Sequence, residues 1–284
     1  MPKSPSSAEI DKFIESLIGE DAADHDITSE SVVDENIECK AVIEAKEKGV
    51  LCGIGLVEKI FLQIDSSILI TKILEDGIAI AAGDIILELN GKARAILAGE
   101  RTALNLLQHL SGISTLTAQF VEEVETTKAV IIDTRKTLPG MRRLQKYAVS
   151  MGGGHNHRMN LADGVLIKDN HIKLSENNGL SISDVVRKSR SNIDESLKIE
   201  VEVDNLDQFH QVISEYPDII LLDNMDTETI KMAVKINNNK VLLEASGGVN
   251  LKNVKEIAET GVDMISVGAL THSSVSLDMS LNIL

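Results

Sequence analysis

The feature that most restricts how this chain can fold is a train of six short, almost uninterrupted apolar runs in its second half. They are AVIID (129–133), GVLIK (164–168), KIEVEV (198–203), DIILLD (218–223), VLLEAS (241–246) and MISVG (264–268). Helix-patterned segments alternate with them: ISDVVRKSR, LDQFHQVISEY, TETIKMAVKI and LKNVKEIAE. A strand that is apolar throughout is buried on both faces, the condition of a parallel sheet or barrel covered by helices. Each run also stops on a polar residue or a glycine: Asp133, Lys168, Glu202, Asp223, Ser246 and Gly268. In parallel barrels the carboxyl ends of the strands form the functional face. Strands must end somewhere, however, and polar residues commonly mark the place.

The first hundred residues have a different texture. Ser7 followed by AEIDKFIESLI predicts a capped helix with Ile10, Phe13, Ile14, Leu17 and Ile18 on one face. Strand-like runs follow (ECKAVIEAKE, SILITKIL, IAIAA and IILELNG), with the helical run GLVEKIFLQI among them. Lys48-Gly49, Asp76-Gly77, Ala82-Gly83 and Asn90-Gly91 read as the turns between neighbouring strands, giving a mostly antiparallel sheet. From Glu100 a long amphipathic stretch, ERTALNLLQHLSGISTLTAQFVEEVE, predicts one helix or two broken near Ser111-Gly112. The tail SVSLDMSLNIL alternates like an edge strand and is expected to return to the first domain. The division expected is residues 1–112 with the tail 272–284, and a barrel over 113–271.

Charge narrows the function. The chain carries 28 Lys and Arg against 44 Asp and Glu, a net charge of −16, which argues against general nucleic-acid binding. Scarce aromatics and the absence of Trp argue against base-stacking modules as well. Within residues 131–173 the balance reverses: Arg135, Lys136, Arg142, Arg143, Lys146, Arg158, Lys168 and Lys173 face only Asp133, Asp163 and Asp169. Such an island suits a pocket for a small polyanion, because guanidinium and ammonium groups meet several phosphates or carboxylates at once. Cys39 and Cys52 fit buried thiols in a reducing compartment. The polar N-terminus and the charges at Lys72, Glu75, Asp76 and Asp84 leave no signal peptide or membrane span, so a soluble cytoplasmic protein is expected.

Within the island, Arg135 and Lys136 follow a strand end and precede the Pro139-Gly140 loop, placed to grip anionic groups or else to decorate a solvated turn. Gly152-Gly153-Gly154 permits close backbone approach to a ligand. His155, His157 and His171 do not predict a zinc site, for want of a carboxylate or cysteine to complete it. Glu202 and Asp223, at the ends of adjacent strands, are expected to hold Mg2+, directly or through water, or to stabilise a developing cation; an ion pair with Lys168 or Arg135 is the plainer role. Glu200 and Glu244 lie near the same rim. Ser246-Gly247-Gly248 and Val267-Gly268-Ala269 form two loops after the last strands, the usual place for a phosphate in a barrel.

Seven segments in order, GERTALNLLQHLSGIST (99–115), DTRKTLPGMRRLQKYAVSMGGGHNHR (133–158), LIKDNH (166–171), EVEVDN (200–205), LLDN (221–224), EASGGV (244–249) and SVGALTHS (266–273), resemble the quinolinate phosphoribosyltransferases. The resemblance runs from about Asp21 to the end of the sequence. It implies an N-terminal α/β sandwich plus an open α/β barrel of parallel strands, assembled as a homodimer or a hexamer made of three dimers. It implies transfer of a phosphoribosyl group from phosphoribosyl pyrophosphate, with Mg2+, to quinolinate, followed by decarboxylation to nicotinate mononucleotide in NAD biosynthesis. Arg101 would serve the partner subunit's site. Thr134, Arg135, Lys136, His157, Arg158 and Lys168 would line the dicarboxylate and pyrophosphate pocket, and Glu202 and Asp223 would face the ribose and metal. Ser246, Gly247, Gly248, Val267, Gly268 and Ala269 would take the 5′-phosphate, and catalysis would fall to Lys136, Lys168, Glu202 and Asp223. The sequence departs from the family where residues 20–30 carry Ala and His in place of common glycines, and at Asn160. The alternatives are a related phosphoribosyltransferase with another acceptor, a barrel aldolase using Lys168 as a Schiff base, and a non-catalytic anion-binding module.

Overall fold

The computed structural model describes residues 7–284. The chain clusters into two compact units: residues up to Ala118 with Arg143–Gly153 and Ser274–Leu284, and Gln119–Arg142 with Gly154–Ser273. Each is taken by itself.

The first unit opens with α1 (Ser7–Glu20). Ile14 is fully buried, and Ile10, Phe13, Leu17 and Ile18 share the less exposed face, as the spacing predicts. The cap expected of the Ser7 side chain lies outside the described residues. Ala22 adopts the left-handed conformation at φ 49°, close to where the family commonly has glycine. Asp26 then caps α2 (Ile27–Val32), its Oδ1 accepting the N–H groups of Thr28 and Ser29 at 3.1 Å.

After these come β1 (Glu38–Ala45), β2 (Gly49–Val50), α3 (Ile54–Ile64), β3 (Leu69–Lys72), β4 (Ala79–Ile80), β5 (Ile85–Lys92) and α4 (Ala93–Val124). From later in the chain α5 (Arg142–Met151) and β12 (Met279–Ile283) join them. The main sheet is antiparallel, in the order β12-β1-β5-β3. Its register sets Ile43 between Leu281 and Leu87, and Ala41 opposite Leu89. Ala41, Ile43, Ala45, Leu87 and Leu89 are all buried, so the period of two carries them to one face.

One local expectation fails here. Asn90-Gly91 is no turn: β5 runs through it, Gly91 pairs with Cys39, and Ile68 packs over the space a side chain would take. The long helix, expected whole or broken near Ser111-Gly112, is whole. α4 continues for 32 residues because both positions serve packing. The Ser111 hydroxyl accepts the Cys52 N–H at 3.0 Å, and a Cβ at Gly112 would lie 2.1 Å from the Val275 carbonyl oxygen. No helix among the described residues is long and apolar enough to cross a membrane.

The second unit holds β6 (Val130–Ile132), β7 (Val165–Ile167), α6 (Asp169–Glu176), α7 (Ile182–Asn192), β8 (Ile199–Val203), α8 (Leu206–Ile213), β9 (Ile219–Asp223), α9 (Thr227–Asn237), β10 (Leu242–Ser246), α10 (Val254–Glu259), β11 (Met264–Ser266) and α11 (Ala269–His272). Its six strands are parallel, in the order β6-β11-β10-β9-β8-β7. The first strand thus lies beside the last, as in a barrel, and the opening falls between β6 and β7, which do not pair. All six strands expected from the apolar runs are present. Ile199, Val201 and Val203 of β8 are 0% exposed, as is Phe209 on the neighbouring α8. Burial of that one aromatic side chain contributes about 2–3 kcal/mol.

Candidate functional site

Successive strand residues point to opposite faces, so residues two apart share one. On the inner face of the parallel sheet this brings together Leu166 and Lys168 after β7, Glu202 on β8, Leu221 and Asp223 on β9, Glu244 and Ser246 on β10, and Ser266 on β11. Thr134, Arg135 and Lys136 arrive from the loop after β6, and His157 and Arg158 from the loop before β7. These residues line one cleft of about 380 Å³.

Its electrostatics are those of a site waiting for an anion. The Nε atoms of Arg135 and Arg158 are buried and have no hydrogen-bond partner. Desolvation first, and then the Arg135 charge, lowers the Arg158 pKa, so each guanidinium is held against the repulsion of the other. Arg158 Nη1 donates to the Gly164 carbonyl at 3.0 Å. Lys168 Nζ sits 2.5 Å from Glu202 Oε2. Burial pushes the Glu202 carboxyl up, against the lowering effect of Lys168. The plainer reading of Lys168 and Glu202, an ion pair, is therefore realised.

Not every candidate gathers here. Asp133 is fully buried behind the lining, where its carboxylate accepts the Asn156 side-chain amide at 2.7 Å and the His157 N–H at 2.9 Å. It shapes the loop carrying His157 and Arg158. Of the eight island bases, only Arg135, Lys136, Arg158 and Lys168 line the cleft. Arg143 and Lys146 lie on α5 in the first unit, where Arg143 pairs with Glu9 at 2.7 Å. Arg142 bonds Thr137 and the Met159 carbonyl, and Lys173 is exposed on α6.

Arg101 is exposed on α4 and approaches Glu100 at 3.9 Å. Gly247, Gly248, Val267, Gly268 and Ala269 follow the strand ends without lining the cleft. Gly247 has φ 95°, and a Cβ there would lie 2.1 Å from Asn224 Oδ1, so glycine lets the loops after β9 and β10 meet. A Cβ at Gly268 would come within 3.1 Å of the Lys136 side chain, so that loop borders a lining base. Asn160 keeps a negative φ and is tied to Asp163, so its replacement of a glycine distorts nothing.

One reason against a metal at the histidines does not survive folding. The sequence offers the histidines no carboxylate nearby in the chain, but the fold does: donor atoms of His157, Glu200 and Glu244 lie within 4.8 Å of one another. His155 and His171 take no part; His171 Nδ1 accepts the Lys168 N–H at 3.0 Å at the start of α6. Ser266 is a cleft residue that the sequence reading passes over.

Comparison with known proteins agrees over most of the chain. The family model for the quinolinate phosphoribosyl transferase C-terminal domain matches residues 113–282, and that for the N-terminal domain residues 26–111. A probable carboxylating nicotinate-nucleotide pyrophosphorylase of Methanocaldococcus jannaschii is 43% identical over 281 residues, covering 96% of this chain and 96% of that protein. The carboxylating nicotinate-nucleotide pyrophosphorylase of Mycobacterium leprae is 42% identical over 265 residues, 91% of each chain. The solved structure of the nicotinate-nucleotide pyrophosphorylase from Francisella tularensis superposes with a TM-score of 0.92 at 40% identity, covering 98% of this chain and 96% of that one.

Proposed function

The chain belongs to the quinolinate phosphoribosyl transferase family, and on that premise we propose that it joins quinolinate to phosphoribosyl pyrophosphate, releasing pyrophosphate and CO2 and yielding nicotinate mononucleotide for NAD biosynthesis. The observation that carries this reading is the pair of buried, partnerless Nε atoms on Arg135 and Arg158 in one cleft. Anionic oxygens would satisfy both buried donors and offset the repulsion between the two guanidiniums, and a diacid supplies such oxygens.

In this reading Arg135, Arg158 and Lys168 take the two carboxylates of quinolinate, and His157 closes the same wall. An acceptor with one carboxylate leaves a half-buried cation unpaired, which is costly and gives selectivity. The incoming carboxylate competes with Glu202 for Lys168, freeing Glu202 to turn to the sugar. As the pyridine nitrogen attacks the anomeric carbon and pyrophosphate departs, positive charge develops on the ribose. Glu202 and Asp223 favour that charge electrostatically, while Lys136, with Thr134 beside it, meets the leaving pyrophosphate.

The 2-carboxylate then leaves as CO2 because the electron pair it leaves behind lies beside the quaternised nitrogen, and that ring carbon takes up a proton from water to give the product. Ser246, Gly247, Gly248, Val267, Gly268 and Ala269 take the 5′-phosphate. The all-oxygen donors of Glu202 and Asp223 fit a hard cation, so these two would hold Mg2+, directly or through water, and the ion would neutralise pyrophosphate charge. Arg101, exposed and outside the cleft, is assigned to the site of a partner subunit in a homodimer or in a hexamer of three dimers. The enzyme would work in the cytoplasm.

The test is direct. Purified protein with quinolinate, phosphoribosyl pyrophosphate and Mg2+ is expected to form nicotinate mononucleotide and CO2 together, followed by mass spectrometry. Chelation should stop turnover, added Mg2+ should restore it, and nicotinate in place of quinolinate should give no comparable product. Absence of both products under these conditions rejects the reaction.

A further inference from the structure

His157 and Glu244 of the cleft wall, with Glu200 beside them, form a cluster whose carboxylates the reaction above does not use. His157 Nε2 is 2.9 Å from Glu200 Oε2 and 3.7 Å from Glu244 Oε2. Glu200 and Glu244 are only 4% and 1% exposed, although both were read from the sequence as rim residues. Glu200 Oε1 and both oxygens of Glu244 have no hydrogen-bond donor.

The other ring nitrogen settles the tautomer. His157 Nδ1 accepts the backbone N–H of Arg158 at 2.7 Å, so it carries no proton. The single ring proton is then on Nε2, donated to Glu200. Both nitrogens are engaged within the protein, and neither is offered to a substrate. That leaves two buried carboxylates side by side with one N–H between them. Two like charges at such depth are unstable, and one proton on Glu244 relieves them while giving Glu200 a second donor. Burial, reinforced by the Glu200 charge, pushes the Glu244 carboxyl up to about 8, which agrees with that placement.

What the cluster holds still is Arg158. Its backbone N–H is fixed on the His157 ring and its Nη1 on the Gly164 carbonyl at 3.0 Å, leaving Nε without a partner. We propose that Glu200 and Glu244 are positioning residues, which clamp the His157 ring and through it aim Arg158 at a carboxylate of the acceptor substrate. The identity of that acceptor rests on the reaction proposed above; the clamp itself does not. The same three side chains could hold a divalent cation, but a proton on Nε2 facing the carboxylates excludes metal from that nitrogen.

Two measurements test this on the intact enzyme. The first needs no turnover: nitrogen NMR of protein with 15N-labelled histidine. His157, assigned by its loss in His157→Asn, is expected as a neutral ring with an N–H at Nε2 and an acceptor-type Nδ1. An imidazolium, an Nδ1–H tautomer, or a bound metal that disappears in Glu244→Gln overturns the proposal.

The second is steady-state kinetics. Glu200→Leu removes the acceptor of the ring proton and is expected to raise the quinolinate KM at least about tenfold. Its kcat and its KM for phosphoribosyl pyrophosphate should stay within about threefold. Glu200→Gln, which keeps an oxygen acceptor, should recover most of the KM lost in Glu200→Leu, and Glu244→Gln, which mimics a protonated acid, should raise the quinolinate KM less than Glu200→Leu does. Equal damage toward both substrates, or a Glu244→Gln variant as impaired as Glu200→Leu, defeats the proposal. Should the protein turn over no quinolinate while His157 shows the expected tautomer, the reaction falls and the clamp stands.

Discussion

The two sheets of this molecule treat their polar residues in opposite ways. In the antiparallel sheet charge stays outside: Val42, Ile43, Ile86, Leu87 and Leu89 are buried, while Glu38 and Glu88 remain exposed. In the parallel sheet the inner face carries Glu200, Glu202, Glu244 and Ser266, all below a tenth exposed. Sequestering such groups opposes folding unless partners compensate, so their presence there has to be explained by what the cleft binds. The first sheet is organised for stability. The second gives some of that up for a charged interior.

The comparison can be broken by mutation, and the sharpest attempt is Arg158→Ala. It is expected to lower kcat/KM for quinolinate by roughly a thousandfold, about 4 kcal/mol, with the melting temperature nearly unchanged. A variant that unfolds instead would make Arg158 structural and erase the contrast. Arg101→Ala should be equally inactive, and mixing it with Arg158→Ala should restore roughly a quarter of the activity, because one site per mixed dimer is intact. Mixtures that stay dead would remove Arg101 from the partner's site.

Ile43→Ala is the mirror experiment. It should cost about 2–5 kcal/mol of stability in denaturant titration, while the folded enzyme keeps its kcat/KM. A selective kinetic defect would show that the first sheet also tunes the chemistry.

The smallest effect concerns pH. With its folded-state pKa raised from 4.5 to about 8, Glu244 contributes stability that is complete below the ordinary carboxylate range and lost as pH rises toward 8. The parent should therefore lose stability relative to Glu244→Gln by at most about 1.4 kcal/mol per pH unit across that window. Parallel curves for the two proteins would mean that Glu244 is ionised throughout.

Much of this was legible in the sequence. The six apolar strands needed no tertiary information, because burial on both faces leaves an unbroken apolar run. The cleft bases Arg135, Lys136, Arg158 and Lys168 were also in view. Where the reading failed, a local signal lost to a long-range contact. Asn90-Gly91 carries the local chemistry of a turn, but the pairing of Gly91 with Cys39 and the packing of Ile68 over it keep both residues inside β5. Helix α5 was hidden because its bases were taken for ligand contacts, whereas Leu144, Ala148 and Val149 bury one of its faces. Glu200 and Glu244 could be placed near the strand ends but not in depth, since depth depends on how far each strand is staggered against the next.

The pairing of β12 with β1 has a consequence for how the protein comes into being. A ribosome makes Glu44 238 residues before Asn282, the partner that bonds it across this edge. At ordinary translation speeds β1 waits roughly 10–50 seconds with a row of unpaired backbone groups open on one side. During that interval nothing from its own sheet covers the edge, and a neighbouring nascent chain offers the same geometry. The open edge of β1 is thus a feature of the growing chain that the finished fold conceals.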